Sequence, residues 1–355
     1  TVNDPGFDVV YDEIVPTLNT VDIYSNNSNN DTLAKVGNQI SLRTESSEPI
    51  KAPTIIIAGR TGDGAASLVN STDDLAAYTS NYTMLSGDTE GKVAFSVDFI
   101  DRAGNVGTQI THLTNDGDGD GYNDMATDSD NKLVTFDKTP PYFNQTTAQG
   151  VGVITIGSSN STSTLAKLGD VITLSLTSTE QIKTGSDPTV TINGNNATVA
   201  RAGDNKSFTA TYTMSSTDGN SVIPSLEFEI SDYEDLSGNI GATIQNSTTD
   251  NTSVKYDPVR PTLSNIVMVS NNTNNAYATL GDEIELTFES SEEINNPVVT
   301  MNGSSDGVTV AANGTNAWKA TRTVIGGDSE AETSFTISFN DLAGNSGSNG
   351  NGGAI

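Results

Sequence analysis

The chain contains no cysteine and a single histidine, His112. Disulfide bonds, thiolate metal centres and zinc sites built from several histidines are therefore excluded, because the sequence lacks their ligands. Basic residues are also scarce, with 16 lysines and arginines against 45 aspartates and glutamates, a formal net charge of -29. Nucleic acids and anionic membranes require a basic footprint, so neither is expected as a partner, and cations are the expected counter-species.

Long apolar runs and helical patterns are missing as well. No stretch has the length needed to span a bilayer, no window predicts an amphipathic helix, and the first residues lack the pattern of a signal peptide. We expect no direct membrane insertion in this segment, and an exported protein would be seen here as a mature or excerpted piece. The sequence instead has short alternating apolar runs separated by Gly, Ser, Thr and Asn, which is typical of all-β proteins.

A short acidic connector that ends in proline occurs three times, at intervals of roughly 120 residues, the length of one small β-sandwich. The copies are residues 12–16 (DEIVP), 137–141 (DKTPP) and 257–261 (DPVRP). Proline fixes its own φ and pushes the preceding residue into an extended conformation, so each connector is predicted to be stiff. Three equivalent connectors indicate one domain type used repeatedly.

The segments between the connectors repeat one another. Each has a glycine turn before a strand of alternating apolar residues, and a later strand that runs into an Asp and a Gly-Asn turn. The first strand carries Ile40 and Leu42, then Ile172, Leu174 and Leu176, then Ile284, Leu286 and Phe288; the turns are residues 101–105 (DRAGN), 235–239 (DLSGN) and 341–345 (DLAGN). With about seven strands per repeat, we predict three tandem Ig-like β-sandwich domains in an elongated array, at residues 13–137, 138–257 and 258–355.

The glycine turn, the Ser-Glu or Thr-Glu that ends the next strand, the Asp-x-Ala-Gly-Asn turn and the Asp-x-x-Pro-Pro connector together resemble the Ig-like or cadherin-like repeats of bacterial and archaeal cell-surface proteins. These include S-layer glycoproteins and giant adhesins, and the resemblance covers nearly the whole chain. It implies an extracellular structural subunit of a surface lattice or filament, whose partners are copies of itself. A stalk of a cell-surface adhesin and an accessory module of a secreted enzyme are the alternatives.

An acidic loop at residues 116–130 has the spacing of a calcium site. Acids at its first, third and fifth positions, a glycine at the sixth and an acid at the ninth direct oxygens at one centre. Thr127 stands where an EF-hand has Glu, so the loop looks more like the isolated Asp-rich calcium loops of extracellular repeats; a solvated acidic loop is the alternative. The predicted ligands are Asp116, Asp118, Asp120, Tyr122, Asp124, Asp128 and Asp130.

The connectors themselves are a second candidate location for structural Ca²⁺. Sandwich topology places acidic residues toward one end of each repeat, and the resemblance to cadherin-like domains implies calcium between neighbouring domains. Acids that only cap turns or face solvent are the alternative. The candidate ligands are Asp12, Glu48, Asp98 or Asp101 and Asn105 in the first repeat, Asp137, Glu180 and Asp232 or Asp235 in the second, and Asp257, Glu292 and Asp341 in the third.

Asn-x-Ser/Thr sequons are frequent in the predicted loops. There are thirteen, which is not far above the number that the composition would give by chance. Glycosylation is plausible for an archaeal source and tolerated in loops. The candidate acceptors are Asn26, Asn30, Asn81, Asn144, Asn196, Asn205, Asn246, Asn271 and Asn313.

Enzymatic activity is not expected. A Ser-His-Asp triad would have to use His112, which we interpret as an exposed loop residue. The nucleophile elbow, the P-loop and the dinucleotide fingerprint are absent, and nothing selects a carboxylate pair for glycoside hydrolysis. Trp318, the one tryptophan, is predicted to be a core residue rather than a sugar-stacking platform.

The boundaries of the repeats do not coincide with the two ends of the sequence. Residues 7–12 (FDVVYD) resemble a last strand such as 133–137 (LVTFD) or 253–257 (SVKYD), whereas the third repeat has no such strand. An excerpt of a longer array explains this. Alternatively, the strand within residues 1–12 completes the third repeat of another copy by strand addition, which would give a head-to-tail filament.

Overall fold

The computed structural model describes residues 10–112, 133–347 and 351–352. These residues form short β-strands joined by turns, and the only helical segments in them are two single 3₁₀ turns, Gly62–Gly64 and Ser216–Asp218. None of the described helices could cross a membrane. The all-β prediction is confirmed.

The chain divides into two compact units. The first comprises Thr1–Tyr142, Glu180–Asp187 and Asp232–Ala242, and the second comprises Phe143–Thr179, Pro188–Ser231 and Thr243–Ile355. The first unit therefore holds the strands of the first repeat and two short segments of the second repeat. The second unit holds the strands of the second and third repeats.

The first repeat forms a two-sheet sandwich within the first unit. Its strands are β1 (Leu18–Ser25), β2 (Leu33–Ala34), β3 (Gln39–Ile50), β4 (Thr54–Ile57), β5 (Ser67–Leu68), β6 (Leu75–Thr83), β7 (Gly91–Lys92), β8 (Phe95–Asp98), β9 (Ile110–Thr111) and β10 (Thr135–Phe136). The main sheets have the orders β1-β3-β6-β5 and β4-β8-β9, and a small sheet has the order β2-β10-β7. Ile40 and Leu42 from one sheet and Ile55 and Val97 from the other belong to one buried cluster.

The second unit contains the strands of two further repeats. Those of the second repeat are β11 (Thr146–Thr147), β12 (Gly150–Val151), β13 (Val153–Ser158), β14 (Leu165–Ala166), β15 (Val171–Thr177), β16 (Thr189–Ile192), β17 (Asn195–Asn196), β18 (Thr198–Arg201), β19 (Ser207–Thr213), β20 (Phe228–Ser231), β21 (Ile244–Gln245) and β22 (Lys255–Tyr256). Those of the third are β23 (Leu263–Ser270), β24 (Glu283–Ser290), β25 (Val298–Met301), β26 (Thr309–Ala312), β27 (Ala317–Thr323), β28 (Phe335–Ser338) and β29 (Asn351–Gly352).

The strand order is the same in each repeat. The first sheet is β13-β15-β19-β18 in the second repeat and β23-β24-β27-β26 in the third, and the opposite sheets are β17-β16-β20-β21 and β25-β28-β29. In sandwich nomenclature these are the A-B-E-D and C-F-G sheets of a constant-type immunoglobulin domain, here with an extra edge strand in the second repeat. The chain is thus built from three tandem Ig-like β-sandwiches.

Alternation along the central strands produces the cores. Leu174 and Leu176 of β15 and Leu286 and Phe288 of β24 are at most 1% exposed, while the residues between them are half-buried or exposed. Successive side chains in a strand point to opposite faces, so this pattern buries one face against the other sheet. Trp318 packs half-buried against the core of the third repeat, as predicted.

The last strand of a repeat leads directly into the next connector. In the first repeat β10 runs parallel to β2, with Phe136 beside Ala34. In the second repeat β22 runs parallel to β14, with Tyr256 beside Ala166. Because each of these strands ends immediately before a connector aspartate, the strand pairing fixes where that carboxylate enters the next repeat.

Candidate cation sites at the connectors

Three carboxylates that are far apart in sequence converge at each connector. Each cluster contains one acid from the connector and one from at or just after the end of the B strand (β3, β15 or β24). The third acid comes from the turn after the F strand (β8, β20 or β28). One oxygen of each residue lies within 4.8 Å of the other two. The clusters are Asp12, Glu48 and Asp101 and, also in the first unit, Asp137, Glu180 and Asp235, then Asp257, Glu292 and Asp341 in the second unit.

The connector aspartate is oriented by a turn that it closes itself. The backbone N–H two residues later donates to its Oδ1, over 3.0 Å from Ile14 to Asp12, 3.0 Å from Thr139 to Asp137 and 3.1 Å from Val259 to Asp257. Such Asx turns are a property of the Asp side chain and need no tertiary contact. The local sequence therefore sets the carboxylate's direction in all three connectors.

The turn aspartate is held by the asparagine four residues later. In the third repeat the backbone N–H of Asn345 donates to Asp341 Oδ1 over 2.8 Å, and its Nδ2 donates to Asp341 Oδ2 over 2.8 Å. The same Nδ2 also donates to the carbonyl of Asp257, over 2.8 Å. One amide thus links the turn to the connector.

The other two clusters repeat this bridge. Asn239 Nδ2 donates to Asp235 Oδ2 over 2.8 Å and to the Asp137 carbonyl over 3.1 Å. Asn105 Nδ2 donates to Asp101 Oδ2 over 2.7 Å and to the Asp12 carbonyl over 3.3 Å. The sequence predicted Asn105 as a ligand, but its nitrogen serves as a bridge; Asn239 and Asn345 occupy the same place in the Gly-Asn turn and were not among the predicted ligands.

The glutamate completes each cluster, and in the first and third clusters a serine holds its backbone. Ser46 Oγ donates to the Glu48 carbonyl, and Ser290 Oγ donates to the Glu292 carbonyl over 2.6 Å. Oε1 of Glu292 is buried and has no hydrogen-bond partner among the described residues. A buried carboxylate oxygen without a donor is costly unless a cation is near.

Burial and neighbouring charges raise the pKa of one or more carboxyls in each cluster. The pKa of Glu48 is raised by burial and by the charges of Asp12 and Asp101, and that of Glu292 by burial and by Asp257 and Asp341. Burial raises the pKa of Asp137 to about 6, with the charges of Asp235 and Glu90 adding to the effect.

The turn aspartates of the first two clusters have pKa values shifted in opposite directions. Burial alone would raise the pKa of Asp101, but the hydrogen bonds from Asn105 and Gly104 lower it, whereas burial of Asp235 prevails and its pKa is raised. A nearby cation would stabilise the charged forms in every cluster. In the third cluster Lys255 Nζ already lies 3.1 Å from Asp257 Oδ2 and partly neutralises it.

Two of the sequence-predicted acids lie outside these clusters. Asp98 is exposed on β8, where its Oδ1 accepts a hydrogen bond from Gln109 Nε2 over 2.8 Å. Asp232 is exposed and has a left-handed backbone with φ of 59°. The sequence left Asp98 or Asp101, and Asp232 or Asp235, as alternatives, and the structure brings the second of each pair into the cluster.

The remaining predicted positions are scattered. Residues 116–130, with every predicted ligand of the acidic loop, lie outside the described residues. Among the nine candidate acceptors, Asn81 and Asn205 are half-buried, and seven are exposed: Asn26, Asn30, Asn144, Asn196, Asn246, Asn271 and Asn313. His112 is half-buried rather than exposed, because its ring packs 6.2 Å from that of Phe95.

A polar contact accompanies the second and third connectors. In the first unit Asn27 Nδ2 donates to the Ser237 carbonyl over 2.9 Å, and Lys35 Nζ donates to the Gly238 carbonyl. In the second unit Asn160 Nδ2 donates to the Ala343 carbonyl over 2.8 Å. The loop of one repeat therefore touches the Gly-Asn turn of the next, a contact that the sequence analysis did not predict.

A glycine two residues after the Gly-Asn turn packs directly against an aromatic ring. A Cβ on Gly107, Gly241 or Gly347 would lie 2.1, 1.9 or 2.0 Å from the ring of Phe99, Tyr233 or Phe339, respectively. No other residue type fits at that distance, so the spacing G-N-x-G is a structural requirement. This packing holds the turn that carries the aspartate and its asparagine.

Comparisons with known proteins find similarity only at the level of solved structures. No family model matches the chain, and no curated protein matches it. The I67–I69 I-band fragment of titin aligns over 93% of this chain and 95% of its own, at 8% identity and a TM-score of 0.36. The full Ig1–Ig3 ectodomain of mouse nectin-like molecule 4 aligns over 88% and 93%, at 11% identity and a TM-score of 0.28. The D1–D4 ectodomain fragment of ICAM-5 aligns over 92% and 75%, at 12% identity and a TM-score of 0.27. Similarities this low do not indicate function.

Proposed function

We propose that this chain is a structural subunit of an extracellular surface layer or filament, in which Ca²⁺ stiffens the connectors between Ig-like repeats. The observation that carries the proposal is the threefold recurrence of one arrangement: a connector aspartate, a strand-end glutamate and a turn aspartate within 4.8 Å of one another. An acidic surface produces clusters by chance, but chance does not place them at the same three positions of every repeat.

Calcium is the cation that suits these ligands. It takes six to eight oxygens, from carboxylates, carbonyls and water, in a flexible geometry, whereas Mg²⁺ requires a near-octahedral shell and retains its water. Three carboxylates supply the charge and leave coordination positions for water. Zinc, copper and nickel prefer nitrogen and sulfur ligands, whereas these clusters offer carboxylate oxygens.

The proposed mechanism is mechanical. The connector carboxylate leaves one repeat while the glutamate and the turn aspartate belong to the next, so a shared cation fixes the angle between the two. Without it, carboxylates this close together repel one another and the connector loosens. The net charge of -29 would also concentrate cations at the surface or within the pores of a lattice.

Calcium titration of the intact chain tests this proposal. Calorimetry in metal-free buffer should show binding at the connectors in addition to any binding by the acidic loop, and millimolar calcium should raise the melting temperature. Glu48→Gln, which removes one charge from the first cluster, should lose one binding event. Asp98→Asn is the matched control, because it removes an acid that lies outside the cluster, and it should bind as the unmodified chain does.

The loop and the connectors are separable. Asp118→Asn combined with Asp120→Asn should remove the loop site and leave the connector sites. Identical titrations for the unmodified chain and Glu48→Gln, or a melting temperature unchanged between chelator and calcium, would refute the calcium proposal.

Electron microscopy of the calcium-loaded protein tests the structural role. A two-dimensional lattice or a one-dimensional fibre supports the proposed subunit. Isolated particles at all concentrations support the alternative of an adhesin stalk, whose recognition module would lie outside this segment. Intact-mass measurement on the native protein tests glycosylation at the candidate acceptors.

A further inference from the structure

We propose that Lys255 serves as a built-in cation at the third connector, so that this connector keeps its geometry in low calcium while the other two require the metal. This inference rests on the proposed function and deepens it, because it names the residue that sets how strongly a connector depends on calcium. It is carried by an ion pair in the third cluster and by the residues that stand at the equivalent position of the other connectors.

The third cluster contains a basic side chain. Lys255 Nζ lies 3.1 Å from Oδ2 of Asp257, which is 4% exposed. Burial and the charges of Asp257 and Asp341 raise the pKa of Glu292, and the charge of Lys255 lowers it. The ammonium group therefore acts on two of the three acids, the connector aspartate and the strand-end glutamate.

Strand alternation places Lys255 beside the connector aspartate. Tyr256, the residue between them, is 0% exposed and fills the core, so Lys255 and Asp257 share the opposite face of the chain. In the first repeat Phe136 is 1% exposed and lies between Thr135 and Asp137 in the same way. The residue two positions before a connector aspartate thus decides which charge stands next to that carboxylate.

The equivalent residues of the other two connectors are uncharged. They are Val10, two positions before Asp12, and Thr135, two positions before Asp137. The ion pairs among the described residues leave Asp12 and Asp137 without a basic partner. Of the three connector aspartates, only Asp257 is paired with a lysine in the part of the chain that the structure describes.

Two lysines close to the second connector are engaged with backbone carbonyls instead. Lys138 follows the connector aspartate directly, but its Nζ donates to the carbonyls of Ser86 over 3.0 Å and Asp88 over 2.8 Å. Lys35 Nζ donates to the carbonyl of Gly238. These contacts hold the backbone around the second connector, whereas Lys255 contacts a carboxylate of the cluster itself.

One ammonium group neutralises only part of the third cluster. The three carboxylates offer oxygens within 4.8 Å of one another, and Oε1 of Glu292 is buried without a hydrogen-bond partner among the described residues. Lysine is a single point charge on a flexible stem, whereas Ca²⁺ carries two charges and takes six to eight oxygens. Lys255 therefore lowers the repulsion among the acids when no metal is bound, and it opposes the binding of a metal because both are positive.

Replacing Lys255 tests this role. Lys255→Met removes the charge, keeps an apolar stem and should tighten calcium binding at the third connector by more than about tenfold, because it removes a positive charge from the edge of the site. Lys319→Met is the matched control: Lys319 pairs with Glu285 at 3.2 Å and its side chain is 41% exposed, against 3.1 Å and 44% for Lys255. Calorimetric titration of the intact chain in metal-free buffer should show one tightened binding event in Lys255→Met and none in Lys319→Met.

Two further variants show whether the charge is responsible. Lys255→Arg keeps the positive charge and should bind calcium as the unmodified chain does. Thr135→Lys introduces a lysine at the equivalent position of the second connector and should weaken calcium binding there by more than about tenfold.

Amide hydrogen exchange tests the geometry of each connector directly. The backbone N–H of Val259 donates to Asp257 and that of Asn345 donates to Asp341, so their exchange reports opening of the third connector. The amides of Thr139 and Asn239 report the second connector in the same way.

The unmodified chain should show a difference between these connectors. A chelator should speed exchange at Thr139 and Asn239 and leave it unchanged at Val259 and Asn345. In Lys255→Met the chelator should also speed exchange at Val259 and Asn345, and calcium should restore the slow rate. Calcium would not restore it if Lys255 acted through packing alone.

The outcomes separate this inference from the proposed function. If the connectors bind calcium and Lys255→Met behaves as Lys319→Met does, the role of Lys255 is wrong while the calcium proposal stands. Faster exchange in Lys255→Met that calcium does not restore also overturns the inference. If no variant binds calcium at its connectors, the calcium proposal fails and the inference fails with it.

Discussion

At the scale of single residues, buried acids in this chain have two different environments. Those at the connectors lie beside other acids, whereas Asp88 is surrounded by donors: Arg60 Nε at 2.6 Å, the Tyr82 hydroxyl at 2.8 Å and the Leu85 backbone N–H at 2.8 Å. Burial alone would raise the pKa of Asp88, but these hydrogen bonds and the Arg60 charge lower it. A buried acid that is surrounded by hydrogen-bond donors needs no cation.

The equivalent residues preserve this second environment in different ways. Asp218 accepts from the Tyr212 hydroxyl and the Ser215 backbone N–H, and Asp328 accepts from Arg322 and the Ile325 backbone N–H. An arginine, a tyrosine or both can therefore satisfy the same turn acid. The structural requirement is a donor, and the residue type is free to vary.

We predict that Asp88→Ala destabilises the first repeat by about 2–4 kcal/mol, because it leaves Arg60, the Tyr82 hydroxyl and the Leu85 N–H without their acceptor. Urea denaturation in calcium measures the change. Asp31→Ala, which removes an exposed acid of the same repeat, should change stability by less than about 0.5 kcal/mol. Equal losses in the two variants would show that Asp88 has no special role.

At the scale of elements, each connector is defined by the acidic residues that the neighbouring strands and turn place beside it. The last strand supplies an aspartate, the first long strand supplies a glutamate and the Gly-Asn turn supplies a second aspartate with its bridging amide. The three acids are brought together in a folded state that raises the pKa of Glu48, Asp137, Asp235 and Glu292. The connectors should therefore respond to protons and to calcium in opposite directions.

We predict that the metal-free protein becomes more stable as the pH falls from 7 to 5. A carboxyl whose folded pKa exceeds its unfolded value binds protons more tightly when folded, so its contribution is present at low pH and lost as the pH rises through the folded pKa, about 6 for Asp137. In millimolar calcium the slope should reverse, because protons would compete with the proposed cation for the same oxygens.

Thermal denaturation at pH 7, 6 and 5, with and without calcium, measures this difference. Acids with lowered pKa, such as Asp88 and Asp101, lose their contribution only below about pH 4, where the unfolded carboxyl becomes protonated. Their protonation therefore does not affect the stability between pH 5 and 7. Asp137→Asn should reduce the metal-free gain on acidification, and parallel curves with and without calcium would contradict the prediction.

At the scale of the whole molecule, the charge of -29 is a source of self-repulsion that no local contact removes. Ion pairs exist, such as Lys183 with Glu234 at 2.7 Å and Lys319 with Glu285 at 3.2 Å, but 16 basic residues cannot neutralise 45 acids. Exposed charges interact over about 30 Å at 0.01 M salt and about 8 Å at 0.15 M. Folding concentrates the excess charge, so screening should favour the folded state.

We predict that raising sodium chloride from about 10 to 300 mM increases the melting temperature of the metal-free protein by several degrees, and that choline chloride does the same because the effect is screening. Calcium, which we propose binds at the clusters, should act at far lower concentration. Differential scanning calorimetry in the three salts measures this. A response to calcium that requires the ionic strength needed for sodium would show screening and no specific sites.

Much of this architecture follows from local sequence alone. Alternation predicts which face of β15 or β24 is buried, because the side-chain period of a strand is two regardless of what covers it. Proline and the Asx turn define the connectors, since both act within a few residues. Threefold recurrence then gives the Ig-like repeat without reference to any other protein.

The contents of each cluster were decided by tertiary structure. The sequence could not choose between Asp98 and Asp101, or between Asp232 and Asp235, because both lie near the end of the same strand and the choice depends on where the chain turns. Nor could it show that the Asn105 amide acts as a donor to a connector carbonyl 93 residues away, or that a glycine must face Phe99. The local sequence pattern determines the direction and period of the side chains along a strand. The distances between residues that are remote in sequence are determined only when the two sheets pack together.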